Sequence, residues 1–128
     1  MNNPKKTTSR KLGDFGEKIA ADFLIKKGYK ILAKNINFRV GEIDLVAEKE
    51  KILVFVEIKT RRNFKFGSLI ESISKKKLQK TVSAVWEFLQ QNNWENREFR
   101  IDGIGIFYDY NKNLEINHWK NIAENFSF

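Results

Sequence analysis

Gly41-Glu42-Ile43-Asp44-Leu45-Val46-Ala47 and Lys51-Ile52-Leu53-Val54-Phe55-Val56-Glu57-Ile58-Lys59-Thr60 flank the charged stretch Glu48-Lys49-Glu50. Two apolar-rich runs, Glu42 to Ala47 and Lys51 to Thr60, around so short a polar interruption predict a β-hairpin. The Asn-Gly or Asp-Gly pair that favours a tight hairpin turn is missing, so two registers stay open. With Lys49-Glu50 at the turn, Asp44 opposes Phe55 and Glu42 opposes Glu57. With Glu50-Lys51 there, Asp44 opposes Glu57 and Glu42 opposes Lys59. Side chains alternate faces along a strand, so either register puts Glu42, Asp44, Glu57 and Lys59 on one face. Ile43, Leu45, Val54, Val56 and Ile58 are expected on the other.

Val46, Leu53 and Phe55 share the polar face nearer the turn, so the carboxylates gather at the far end of an otherwise apolar surface. Carboxylates crowded in a half-buried site repel one another, and one takes up a proton unless a cation intervenes. A divalent ion with oxygen ligands is the natural cation, and magnesium typically takes one or two protein carboxylates plus substrate phosphate. Lys59, two residues beyond Glu57, could orient a water or neutralise a phosphoryl oxygen. The alternative is a Glu–Lys salt-bridge ladder on a wetted face. Against it stand the apolar surroundings and the basic loop that follows Lys59.

Outward from the hairpin, Leu12, Phe15, Ile19 and Phe23 recur every three or four residues, predicting a helix from about Ser9 to Lys27, with Gly28 as its stop. Residues 1–8 read as a flexible arm, leaving 9–128 as one domain. Tyr29 to Phe38 reads as an irregular strand. Leu78, Val82, Val85 and Leu89 mark a second amphipathic helix over Lys75–Gln91. Strands are expected at Phe99–Tyr108 and Leu114–Trp119. The order α-β-β-β-α-β-β predicts an α/β chain of the α+β kind, a mixed central sheet flanked by helices.

The whole chain is 128 residues, the length of one domain. It has no cysteine and one histidine, His118, which excludes disulfides, thiol nucleophiles and multi-histidine metal sites. Mean hydropathy is −0.51 and no membrane span is expected. Met1 to Leu12 is polar and basic and carries no signal pattern, so a cytoplasmic location is expected. Net charge is +8, unevenly spread: residues 1–80 hold 20 basic and 9 acidic residues, and 81–128 hold 4 and 7. A basic half points to a polyanionic partner, nucleic acid ahead of an anionic membrane surface.

The motifs Gly13-Asp14-Phe15-Gly16-Glu17-Lys18-Ile19-Ala20, Asn35…Arg39-Val40-Gly41-Glu42-Ile43-Asp44-Leu45, Val54-Phe55-Val56-Glu57-Ile58-Lys59-Thr60-Arg61 and Phe66-Gly67 together resemble the YraN-like family. These are small bacterial proteins similar to the Holliday-junction-resolvase branch of the PD-(D/E)XK nuclease superfamily. The resemblance implies a restriction-endonuclease-like fold and a metal-dependent endonuclease that cleaves phosphodiester bonds. It implies Asp44 and Glu57 as ligands of Mg2+ (or Mn2+), Lys59 as the catalytic lysine and Glu17 as an assisting acid on the first helix. Nucleic acid is then the partner, DNA ahead of RNA. A homodimer would suit a symmetric junction, although no residue marks a dimer face. The alternative is a non-catalytic nucleic-acid-binding module that keeps the same fold.

Arg61, Arg62 and Lys65, interleaved with Phe64 and Phe66, fit contact with a phosphate backbone and stacking on bases. Lys75, Lys76 and Lys77 open the second helix behind Ser74, a suitable N-cap. Cations there oppose the helix dipole, a local cost that a phosphate contact would justify. Gly103-Ile104-Gly105 lacks the third glycine and the following helix of a dinucleotide fingerprint. Asp102 reads as structural and His118 as a strand-end residue.

Overall fold

The computed structural model describes residues 4–62, 73–109, 111 and 113–124, with side chains from residue 13 onward. In chain order the elements are α1 (Pro4–Lys26), β1 (Lys30–Phe38), β2 (Gly41–Lys49), β3 (Ile52–Arg61), α2 (Lys75–Gln91), β4 (Phe99–Tyr108) and β5 (Leu114–Trp119). The expected α-β-β-β-α-β-β order is present, as an α+β fold. Helix α1 begins at Pro4 rather than Ser9, so residues 4–8 of the expected arm are helical. Proline suits a first helical turn, where its missing N–H would have no partner anyway. At the other end Gly28 takes φ +93°, the left-handed stop expected of it.

The five strands form one mixed sheet in the order β1-β2-β3-β4-β5. Neighbours pair antiparallel except β3 and β4, which run parallel. Antiparallel neighbours need only a turn, whereas a parallel pair needs a crossover, and α2 lies in that connection. The sheet is covered on both faces. Val54 and Val56 of β3 pack with Ala20 and Leu24 of α1, while Leu53 and Phe55 pack with Val82, Val85 and Leu89 of α2. Burial on both sides explains why β3 is nearly continuously apolar.

Lys49 pairs with Ile52, so the β2–β3 turn is Glu50-Lys51 and the second of the two registers is the one formed. Glu50 and Lys51 have φ of 52° and 69°. Positive φ at both central positions is what a type I′ hairpin turn requires, and it costs residues with a β-carbon about 1–2 kcal/mol each.

The expected alternation of faces fails at one point. Ile43 packs in the α2-side cluster with Val46, three residues away, and not with Leu45 on the α1 side. Opposite this point β1 breaks as well. Lys34 pairs with Leu45 and Ile36 with Ile43, while Asn35, at φ 52°, and Asp44 fall outside the ladder. The left-handed Asn35 turns its strand over, and β2 turns with it, so apolar side chains on either side of the break reach the same core. The single polar face expected for the whole hairpin is therefore divided at Asp44.

Candidate functional site

Asp44 sits where β2 leaves β3: the paired residues end at Leu45 and Val56. Beyond that point the Ile58 N–H has no strand partner on the β2 side, and it donates to Asp44 Oδ2 at 2.8 Å. A buried N–H must find an acceptor, and the freed Asp44 carboxylate supplies it. Glu57 lies one residue earlier on β3, with a relative exposure of 4%. Its Oε2 is buried without a hydrogen-bond partner. Oε1 lies 3.6 Å from Lys77 Nζ, and the same ammonium lies 3.6 Å from Glu42 Oε1.

These contacts set the electrostatics. Burial, then repulsion from Asp44, pushes the Glu57 carboxyl up to about 7, against the pull of Lys77 and Lys59. Burial also raises Asp44; the Ile58 N–H and Lys77 oppose that rise, and Glu42 and Glu17 add to it. Glu17 comes from α1 and accepts a hydrogen bond from Asn35 Nδ2 at 2.9 Å. Helix α1 comes close enough for this because residue 16 is glycine: a β-carbon there would lie 2.0 Å from Thr60 Oγ1.

Glu17, Asp44, Glu57 and Lys59 are thus gathered at one end of the sheet from α1, β2 and β3. Lys59, next but one to Glu57, has no described carboxylate within ion-pairing distance, so the cation paired with Glu57 is Lys77. The sequence points Lys77 toward phosphate instead, and the nineteen residues between it and Glu57 carry no local signal of the contact. The backbone N–H of Lys77 donates to the capping Ser74 Oγ at 3.0 Å. Lys75 and Lys76 are exposed, as are Arg61 and Arg62 at the end of β3. Lys65, Phe64 and Phe66 lie outside the described residues. Asn35 was also missed as a partner of Glu17, since nothing in its neighbourhood foretells a left-handed strand residue.

The donor set can be tested against a divalent ion. No group of three or more histidine, cysteine or acidic side chains is poised for a metal among the described residues. Magnesium, however, ordinarily takes one or two carboxylates and keeps its waters. Two neighbouring carboxylates, one with an unpartnered buried oxygen, fit that requirement.

One consequence can be measured without metal. The unfolded chain releases the Glu57 proton near pH 4.5, and the folded chain holds it until about 7. Between these values the native state binds more protons, so this group makes stability fall as pH rises, by up to about 3 kcal/mol. Urea midpoints of wild type and Glu57→Gln, measured from pH 4.5 to 8 with chelator, should converge at the acid end, with wild type falling behind toward pH 7. Parallel curves would show that Glu57 ionises normally in the fold.

The uncharacterised protein family UPF0102 matches residues 16–106. A UPF0102 protein of Clostridioides difficile is 43% identical over 107 residues, covering 84% of this chain and 89% of its own. One from Dichelobacter nodosus is 40% identical over 122 residues, 95% of each chain. One from Caldanaerobacter subterraneus is 41% identical over 116 residues, 89% of this chain and 95% of its own. No helix among the described residues is long and apolar enough to cross a membrane.

Proposed function

The chain belongs to the uncharacterised protein family UPF0102, the YraN-like family its motifs resemble, and we propose that it is a metal-dependent nuclease of the resolvase-like type, on a restriction-endonuclease-like fold. The observation that carries this reading is Glu57: a carboxylate buried in the sheet beside Asp44, with one oxygen left without a partner. Burying two like charges together is costly unless a cation joins them. A ligand role gives that cost a purpose.

Asp44 and Glu57 would hold Mg2+ or Mn2+, with the Ile58 carbonyl as a further ligand. When bound, the ion supplies Lewis-acid stabilisation of the phosphoryl oxygens and lowers the pKa of a water. Lys59 positions the attacking water. Glu17, oriented by Asn35, accepts a hydrogen bond from water at the edge of the site. The basic half of the chain supplies attraction for the phosphate backbone, with DNA ahead of RNA as substrate.

One contact favours a second reading. Lys77 already gives Glu57 a countercharge, which suits a nucleic-acid-binding module without catalysis. Branched, single-stranded and duplex DNA and the corresponding RNAs, incubated with and without manganese, separate the two. Scission that requires metal is expected on at least one substrate. Binding without scission on all of them would leave the binding module.

A further inference from the structure

Next to the carboxylates, the β1–β2 turn and the first turns of α2 border an open groove of about 300 Å3. Arg39, Gly41, Glu42, Lys77 and Lys80 are among the residues that line it. Its inner wall is continuous with the site, because Glu42 and Lys77 meet there and Lys77 also reaches Glu57. Of its three cations, Lys77 is engaged by acids. Arg39 and Lys80 are exposed and have no ionic partner among the described residues.

The backbone segments that carry these two cations are held in fixed relation. Gly41 lies so close to α2 that a β-carbon on it would be 2.4 Å from the Lys80 backbone carbonyl oxygen. The turn carrying Arg39 is thereby seated on the helix turn carrying Lys80. An open groove flanked by two cations without an ionic partner among the described residues, on backbone segments packed together, favours an anion. Beside a site that acts on phosphodiesters, that anion is the next phosphate along the strand. Phosphates recur every ~3.4 Å of axis along one strand of a duplex, so a strand with one phosphate at the carboxylates carries others past the neighbouring surface.

Resting on the nuclease reading above, we propose that Arg39 and Lys80 form a phosphate subsite that holds the nucleic-acid strand next to the Asp44–Glu57 pair. The sequence marks neither residue as a phosphate contact, because the subsite exists only once the β1–β2 turn is packed on α2.

The test is Arg39→Gln/Lys80→Gln, compared with Lys26→Gln/Lys30→Gln, which removes equal charge around the start of β1, at the other end of that strand. Binding of a labelled DNA duplex is followed by anisotropy across a salt series, with chelator and no divalent ion. Thermal melting checks that both variants fold. Two lost phosphate contacts should flatten the log–log salt slope by about 1.8 for the groove variant, and by clearly less for the control. Equal flattening in the two variants, or none in the groove variant, overturns the subsite. Wild type that binds magnesium by calorimetry but no nucleic acid also overturns it, leaving the metal site standing. A flattened slope in a protein that cleaves nothing supports the subsite while the hydrolase reading falls.

Discussion

Glu57→Gln is expected to abolish metal-dependent cleavage and to weaken magnesium or manganese binding by roughly 100-fold or more. Losing even an outer-shell partner of a metal site typically costs 10–100-fold, and on the proposed reading this change removes a ligand itself. An amide keeps the shape of the side chain but is a poor ligand for a hard cation. The folded protein should survive. Glutamine removes a buried charge that repels Asp44, so stability at neutral pH should hold or rise. Metal-free affinity for nucleic acid should hold or rise too, since the site presents less negative charge to an incoming phosphate. Calorimetry with each metal, a cleavage assay and melting of both proteins give the answer. If Glu57 serves only as the ionic partner of Lys77, glutamine would leave metal affinity unchanged. That outcome in a well-folded variant would end the hydrolase assignment.

The second large effect is expected on the other face of the sheet. Asp102 is fully buried on β4. Arg100 Nε donates to its Oδ1 at 3.0 Å, the Asn121 N–H donates to the same oxygen at 2.9 Å, and His118 Nε2 lies 2.8 Å from Oδ2. Arg100 reaches on to the Tyr29 hydroxyl at 2.7 Å, tying β4 to the segment after α1. Burial alone would raise the Asp102 carboxyl; the bonds from His118, Asn121 and Arg100 outweigh it and hold the group below the usual carboxylate range.

Asp102→Ala strips these donors of their common acceptor and leaves Arg100 without its counter-ion. Breaking a buried pair from one side typically costs about 3–5 kcal/mol, a large part of the ~5–15 kcal/mol of an ordinary domain. Urea unfolding near pH 7 should show that loss. A loss below about 1 kcal/mol would mean the network is not a structural anchor. The sign with pH is opposite to that of Glu57. A depressed carboxyl contributes stability above its unfolded value of 3.8, and that stability is lost as pH falls through the lower folded value.

The element order was legible because it rests on local geometry. A helix returns its apolar side chains every three or four residues and a strand every two, so α2, β4 and β5 fall on the residues where Leu78–Leu89, Phe99–Tyr108 and Leu114–Trp119 predict them. The acids of the candidate site were visible for a related reason: a carboxylate inside an apolar strand is costly, so Asp44 and Glu57 stood out. Asp102, an acid between Ile101 and Gly103, gave the same signal, and its structural reading agrees with the network around it.

Tertiary structure decided what depends on neighbours far along the chain. Nothing local makes Glu50-Lys51 rather than Lys49-Glu50 the turn; two residues with β-carbons accept positive φ there because the strands on either side gain their paired core. The break in alternation at Asn35 and Asp44 needs both strands to turn over together, which neither sequence announces alone. Lys77 meets Glu57, and His118 meets Asp102, only after α2 and β5 have been laid against particular faces and edges of the sheet. Periodicity specifies which side of an element is buried, but not which element will cover it, and the charges that meet at this site are brought together by that second choice.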